Sequence, residues 1–272
     1  MRSASTDDER RTACQDEGAA GGTNSLQVMP QRQIIVLLTA TVNPGTTPFV
    51  VRADPETRLR DYRLALENWV VQGNFTRLIV CENSGADLSV LERVVASRHM
   101  RNVDFISYVD GGAAEKRGKG YAELLEIERA LGCDVQIERE DIVVKCTGRL
   151  QIENAARILK RIAMLEFDVM CDLKKYLTFA DSRIFAATRE FLEDYLIPRR
   201  EMINDSAGVY FEHALAMAAV AAVADGKAWR PFPVLPEIIG ISGSTGRSMT
   251  DSWIKRLAKR VYYRLNDHIL RR

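Results

Sequence analysis

Cationic side chains that could bind a diphosphate occur at the ends of predicted strands. Lys119 is followed by Gly120 shortly after one such strand, and Lys145 and Arg149 lie four residues apart at the end of another. Ammonium and guanidinium groups form charge-assisted hydrogen bonds with phosphate oxygens, which are stronger than bonds between neutral groups. Glycine lets a backbone N–H approach the same phosphate closely. These residues therefore predict an anion-binding site.

Further polar residues follow the first, second and fourth predicted strands. Turn formation alone also explains each of these loops, and only their alignment along one edge of a sheet favours a binding site. We include them as candidate ligand-binding residues together with the cations above. They are Thr41, Asn43, Arg52, Glu82, Asn83 and Thr147.

Short apolar runs alternating with amphipathic segments predict the elements that would position these residues. Asp54-Pro55-Glu56 is typical of a helix start, with an N-cap, a proline in the first turn and an early acidic residue. Strands that alternate with helices favour right-handed crossovers and a mainly parallel sheet, whose carboxyl ends form one ligand-binding edge. The predicted fold class is α/β, with a Rossmann-like, mainly parallel sheet flanked by helices and a helical C-terminal part. The predicted strands are 34–38, 78–81, 103–108 and 141–146.

The second half of the chain predicts two more helices. Asp181 is interpreted as the N-cap of a helix that carries Ile184, Phe185 and Thr188 and ends before Pro198. A later helix is alanine-rich, stops near Gly226 and is predicted to be capped by the segment 204–206. We divide the chain into a disordered leader (1–30), an α/β domain (31–250) and a basic amphipathic helix (251–272).

Composition and motif searches exclude several classes of protein. The formal charge of +1 provides no global attraction to nucleic acid. The five cysteines form no CxxC pair or Cys/His cluster, which argues against a zinc site or a disulfide framework. The sequence contains no GxxxxGK[ST] loop, no GxGxxG after the first strand and no GxSxG elbow. No apolar run approaches the length of a spanning helix, so we expect a cytoplasmic protein.

Four segments together resemble the glycosyltransferase-A fold, the nucleotide-sugar domain of many bacterial enzymes that assemble surface polysaccharides. They are LLTATVNP (37–44), LIVCENSG (78–85), GKGYAE (118–123) and DIVVKCTGR (141–149). The resemblance implies that the first two bind the nucleoside and that the fourth ends where the family carries an Asp-x-Asp metal motif. No Asp-x-Asp occurs in this chain. The resemblance therefore implies a variant in which Lys145 or Arg149 counters the diphosphate, and no cofactor is predicted, although a divalent metal stays open.

The resemblance further implies a glycosyltransferase that moves a sugar from a nucleotide-sugar donor to a glycan or lipid-linked acceptor. A base near the acceptor hydroxyl is expected if the transfer inverts. Candidates are Glu212, His213 and Asp181, although an exposed glutamate, a structural histidine and an N-cap would explain them equally well. The alternatives are a sugar nucleotidyltransferase and a non-catalytic, membrane-associated nucleotide-binding module.

The C-terminal segment has the pattern of a helix that lies on an anionic membrane. Apolar residues recur every four positions from Trp253 to Ile269, and basic residues occupy most of the remaining positions. Such a helix is drawn to acidic headgroups, which would place the protein at the inner face of the plasma membrane. Docking of the apolar stripe on the domain is the alternative. The predicted membrane-contact residues are Trp253, Lys255, Arg256, Lys259, Arg260 and Arg264.

Overall fold

A computed structural model describes residues 32–133, 136–243 and 245–248. The predicted leader and the predicted basic C-terminal helix, with its six membrane-contact residues, lie outside the described residues. Among the helices that are described, none combines the length and the apolar character needed to span a membrane.

Four parallel strands form the part of the sheet that the sequence predicts most directly. Their order across the sheet is β3-β2-β1-β4. The first strand, β1, therefore lies between β2 and β4, with β2 and β3 on one side and β4 on the other. The side chains of β1 are buried on both faces, as expected for a strand covered by helices on each side. These strands are β1 (Ile34–Ala40), β2 (Arg77–Glu82), β3 (Val103–Ser107) and β4 (Ile142–Thr147).

Helices cover both faces of this sheet and divide the core into two apolar clusters. Val36 and Leu38 of β1 belong to one cluster, and Ile35 and Leu37 belong to the other. The predicted helix start is confirmed, because Asp54 accepts a hydrogen bond from the Thr57 N–H at 2.8 Å. The helices are α1 (Pro55–Gln72), α2 (Ser89–Ser97), α3 (Ala113–Arg117), α4 (Lys119–Cys133), α5 (Ala155–Ile162), α6 (Arg189–Phe191) and α7 (Phe211–Ala224).

The sheet continues beyond β4 with an antiparallel strand that the sequence assigned to a helix. Ile184–Thr188 forms β9, which pairs antiparallel with β4 on one side and with β6 (Val169–Met170) on the other. All five residues are buried, so a continuous apolar run that fits helical spacing also fits a strand covered on both faces. The helical segment starts only after Thr188, whose hydroxyl caps it by accepting from the Phe191 N–H at 3.1 Å. The helix predicted to begin at Asp181 is therefore wrong.

The predicted cap of the alanine-rich helix also needs correction. Asn204 caps the short 3-10 turn Asp205–Ala207, and α7 begins later, after Tyr210. The described residues thus form a Rossmann-like α/β fold with a seven-stranded, mainly parallel sheet, as predicted. The remaining strands are β5 (Gln151–Ile152), β6 (Val169–Met170), β7 (Leu173–Lys174), β8 (Phe179–Ala180), β10 (Trp229–Arg230) and β11 (Ile238–Ile239).

Candidate functional site

A cleft of about 230 Å³ opens at the carboxyl edge of β1 and β4. The two strands approach closely here, since a Cβ on Gly148 would come within 2.7 Å of the Thr39 carbonyl oxygen. The lining includes five residues that the sequence analysis selected, namely Thr41, Lys119, Thr147, Arg149 and Glu212. It also includes charged residues that the sequence analysis did not select, namely Arg58, Glu123, Glu126 and Arg183.

One wall of the cleft carries two arginines, Arg58 and Arg149, which we call the arginine pair. Arg58 is only 6% exposed and donates from Nε to the Thr41 carbonyl at 2.6 Å and from an Nη to the Tyr62 hydroxyl at 3.0 Å. Arg149 donates to the Ile241 carbonyl at 2.7 Å. Among the described residues, no carboxylate lies within ion-pair distance of either guanidinium.

Burial and like charge act together on the arginine pair. Burial lowers the pKa of Arg149, and the positive charge of Arg58 lowers it further. Because arginine stays protonated at physiological pH, both guanidiniums carry a positive charge. An anion with several oxygens that binds here would relieve this repulsion and replace lost hydration.

The floor of the cleft carries a cation whose charge is already neutralised. Lys145 is fully buried, and its ammonium donates to Glu123 Oε1 at 2.5 Å and to the Ser182 carbonyl at 2.8 Å. The hydroxyls of Thr39 and Thr147 donate to the same Glu123 oxygen at 2.9 and 3.2 Å. Burial raises the pKa of Glu123, but Lys145 and these hydrogen bonds outweigh burial and hold the pKa below its usual value. Lys145 thus pairs with Glu123, and its predicted role in binding the diphosphate stays a prediction.

Glu212 faces the cleft from the first turn of α7. Its Oε1 accepts a hydrogen bond from the Ser182 hydroxyl at 2.8 Å, and its side chain is half-buried. Ser182 also connects Glu212 to the floor, because its carbonyl accepts from Lys145. A half-buried carboxylate that faces a ligand cleft can accept a proton from a bound hydroxyl.

The other two candidate bases lie in different environments. Burial raises the pKa of Asp181, but Arg183 and Lys174 outweigh it and hold the pKa well below its usual range. Such a carboxylate is a weak proton acceptor, and Asp181 instead links β7 to the residues before β9. His213 accepts at Nδ1 from the Tyr210 N–H at 3.0 Å and stacks on the Tyr210 ring. Neither Asp181 nor His213 is part of the cleft lining.

Two of the predicted donor-binding residues, Glu82 and Asn83, are buried at the end of β2. Glu82 is fully buried, and its carboxylate accepts from the backbone N–H groups of Val42, Ser84 and Ala86 at 2.9 to 3.0 Å. Asn83 is buried beside it, and within the described part of the chain its Nδ2 has no hydrogen-bond partner.

The remaining predicted residues lie beside the cleft rather than in its lining. Arg52 forms an ion pair with Asp61, with N–O distances of 2.5 and 2.9 Å. Asn43 is exposed and accepts from the Gly45 N–H at 3.2 Å within its own turn. The Gly120 N–H points to Asp205 at 3.5 Å.

Sequence reasoning missed Arg58, Glu123 and Glu126 because all three lie on helices rather than in strand exits. Arg58 belongs to the first turn of α1, where Tyr62 lies four residues later on the same face. Glu123 and Glu126 share a face of α4 in the same way. A buried face that carries charged residues is the signal that could have identified them.

The described residues contain no group of three or more His, Cys, Asp or Glu side chains arranged to hold a metal ion. The end of β4, where the resembling family carries Asp-x-Asp, holds the buried Lys145 instead. A cation at this position does not fit a metal ligand set.

No protein-family model and no curated protein matches this sequence. Solved structures with a similar overall fold include the glycosyltransferase GlyE of Streptococcus pneumoniae TIGR4, at 8% identity and a TM-score of 0.43 over 74% of this chain. A cytidylyltransferase from Leptospira borgpetersenii is similar at 12% identity and a TM-score of 0.42, covering 83% of this chain and 84% of its own.

The mannosyltransferase PcManGT of Pyrobaculum calidifontis, solved with GDP-Man and Mn²⁺, is similar at 14% identity and a TM-score of 0.44 over 88% of this chain. This chain spans 64% of the mannosyltransferase chain and 45% of the GlyE chain. Glycosyltransferases and nucleotidyltransferases therefore both occur among the proteins that this chain resembles in fold.

Proposed function

We propose that this protein is a nucleotide-sugar transferase, and specifically a glycosyltransferase that moves a sugar from a nucleotide-sugar donor to a polysaccharide or lipid-linked acceptor. The observation that carries the proposal is the arginine pair. One buried and one half-buried arginine, neither with a carboxylate partner among the described residues, line a cleft at the carboxyl edge of the sheet, and Glu212 faces the same cleft. The arginines can stabilise the negative charge of a diphosphate, and the carboxylate can accept the proton of an acceptor hydroxyl.

In the proposed reaction, the diphosphate of the donor lies against Arg58 and Arg149, and the sugar points toward Glu212. The acceptor oxygen forms a bond to the anomeric carbon as the bond from that carbon to the diphosphate oxygen breaks. Glu212 takes the proton of the acceptor hydroxyl, as an inverting transfer requires. The nucleoside diphosphate leaves with its additional negative charge stabilised by the arginine pair.

The alternative that the sequence analysis left open is a sugar nucleotidyltransferase. In such an enzyme the same arginines would bind the triphosphate of a nucleotide. A thermal-shift panel of UDP-, GDP-, ADP- and dTDP-sugars and of the four nucleoside triphosphates with sugar 1-phosphates separates the two proposals. We expect selective stabilisation by one nucleotide sugar and release of its nucleoside diphosphate on turnover, unaffected by a chelator. Pyrophosphate release from a triphosphate would support the alternative. Stabilisation by none of these compounds would contradict both.

Glu212→Gln tests the proposed base. The substitution keeps the hydrogen bond from Ser182 but cannot take a proton, so we expect kcat to fall about 10²- to 10⁴-fold while donor binding stays within a few-fold. Glu92→Gln on the exposed face of α2 is the matched control. Equal activity of the two variants would remove Glu212 from the mechanism.

We propose further that the acceptor lies at an anionic membrane surface and that residues 251–272 bind the protein to it. Deleting these residues should release the protein from vesicles that contain phosphatidylglycerol, because the deletion removes the cluster of basic residues. The described fold should keep its melting temperature. Continued sedimentation of the shortened protein with these vesicles would contradict the membrane proposal and leave the transferase proposal intact.

A further inference from the structure

Glu126 is a buried acidic side chain at the cleft that the proposed reaction does not use. It lies one turn after Glu123 on α4 and is only 2% exposed. Its Oε1 accepts a hydrogen bond from the Ala40 N–H at 2.7 Å, at the end of β1, and its side chain forms part of the cleft lining. Among the described residues, no lysine or arginine forms an ion pair with it.

The groups around Glu126 oppose a negative charge on its carboxyl. Glu123 lies on the same helix, and Glu82 approaches from β2. Lys145 on β4 is the nearby cation, but its ammonium donates to Glu123. Burial, followed by the charge of Glu123, raises the pKa of Glu126 well above its usual value. Two further titratable groups interact with Glu126, and burial raises the pKa of both, the Cys81 thiol and the Tyr108 phenol, so they are neutral in the physiological range. Arg129, one turn later on α4, lies over the Tyr108 ring and keeps its charge across this range.

We propose that the Glu126 carboxyl is uncharged in the folded protein and donates a hydrogen bond to an oxygen of the bound nucleotide sugar. The inference rests on the proposed function and adds a ligand contact to it. A protonated carboxyl has one acceptor oxygen and one O–H donor. The Ala40 N–H occupies the acceptor side, and the cleft is where a ligand oxygen can accept the proton. A buried donor that gains an acceptor on binding contributes to affinity and selectivity.

The contact makes donor binding depend on pH in one direction. Affinity should be constant while Glu126 is protonated and should fall by up to about tenfold per pH unit above its pKa. Loss of the proton removes the donor and places a third carboxylate beside an anionic ligand. Phosphodiesters, arginines and exposed glutamates do not titrate between about pH 6 and pH 9.

Calorimetric titration tests the inference with the UDP-, GDP-, ADP- or dTDP-sugar that the thermal-shift panel selects. Glu126→Gln keeps the shape and an N–H donor, so we expect it to bind within a few-fold of wild type at low pH and to show a flatter pH profile. Glu126→Met keeps the volume without a donor and should bind about five- to tenfold more weakly at low pH. Parallel pH profiles of the wild type and Glu126→Gln, with binding intact, would overturn the inference and leave the proposed function standing.

Two measurements need no ligand and separate this inference from the proposed function. The infrared difference spectrum between the wild type and Glu126→Gln should contain the carbonyl band of a protonated carboxyl at neutral pH. Its absence would overturn the inference even if no nucleotide sugar binds. The raised pKa of Glu126 stabilises the fold at low pH, and this contribution is lost as the pH rises to the folded-state pKa. The melting temperature of the wild type should therefore fall relative to that of Glu126→Gln as the pH increases. A difference in melting temperature between the two proteins that does not change with pH would also overturn the inference.

Discussion

The wall and the floor of the cleft both carry cations, but only the floor supplies a carboxylate that neutralises its cation. On the floor, the Lys145 ammonium donates to the Glu123 carboxylate, which also accepts from two threonine hydroxyls. On the wall, the arginine pair donates to carbonyl and hydroxyl oxygens, which carry no net charge. The floor is therefore complete without a ligand, whereas the wall keeps a positive charge that an anion can neutralise.

This difference separates a cation that the protein neutralises from cations that we propose to bind a ligand, at the same edge of one sheet. Proximity to the strand ends does not distinguish them, because Lys145 and Arg149 are only four residues apart. The distinguishing property is whether the protein itself supplies the opposite charge. A charge that is buried and paired contributes to the fold, while a charge held by neutral acceptors stays available to the ligand.

The largest expected effect is on stability and comes from the floor. Lys145→Met leaves the Glu123 carboxylate buried without its cation, so we expect the free energy of unfolding to fall by about 3–5 kcal/mol, measured by urea denaturation. Lys160→Met, on the exposed end of α5, is the control and should change it little. Adding Glu123→Gln to Lys145→Met should restore part of the loss. Equal stabilities for the two lysine variants would contradict the assignment of Lys145 as a structural cation.

On the wall, a smaller effect on ligand affinity is expected, with little change in stability. Arg149→Gln removes the charge but keeps a polar side chain, and we expect nucleotide-sugar affinity to fall about 10- to 100-fold, as for loss of a charged hydrogen bond. Arg93→Gln, on the exposed face of α2, is the matched control. Calorimetry should distinguish them clearly. Identical affinities would mean that the wall does not bind the diphosphate, and the comparison would fail.

The smallest expected effect comes from moving Arg149 without changing its charge. A Cβ at Gly243 would lie 2.6 Å from the Arg149 guanidinium, which must then shift. The cost of an off-rotamer side chain is about 0.5–1.5 kcal/mol, so Gly243→Ala should weaken binding about two- to tenfold. Gly132→Ala, which has open space around it, should not. If Gly243→Ala weakens binding of Arg149→Gln as much as that of wild type, the effect does not act through Arg149.

Much of the fold could be predicted from local patterns. The runs that became β1, β2, β3 and β4 are short, apolar and separated by amphipathic helices, so their type and their parallel arrangement followed from the sequence. The segment Ile184–Thr188 could not be assigned in this way, because burial on both faces removes the alternation that identifies a strand. Only its pairing with β4 and β6 decided between strand and helix.

The sequence by itself determined where polar groups would gather. Strand exits carry Thr41, Thr147 and Arg149, and parallel strands bring such exits to one edge whatever their side chains are. Lys119 reaches the same edge from the start of α4. Glu212 was selected through the resemblance, which implies a base for an inverting transfer in the second half of the chain. These positions depend on chain order and local propensity, which can be predicted from the sequence alone.

Only the tertiary structure decided which of these charges the protein neutralises. Glu123 of α4 accepts a hydrogen bond from Lys145 of β4. Arg58 lines the cleft from α1, and Arg149 donates to the carbonyl of Ile241, which lies far along the chain. The strength of an electrostatic interaction depends on the distance between the charges and on which groups exclude water from them. Packing therefore made Lys145 part of the fold and left the arginine pair available to a ligand.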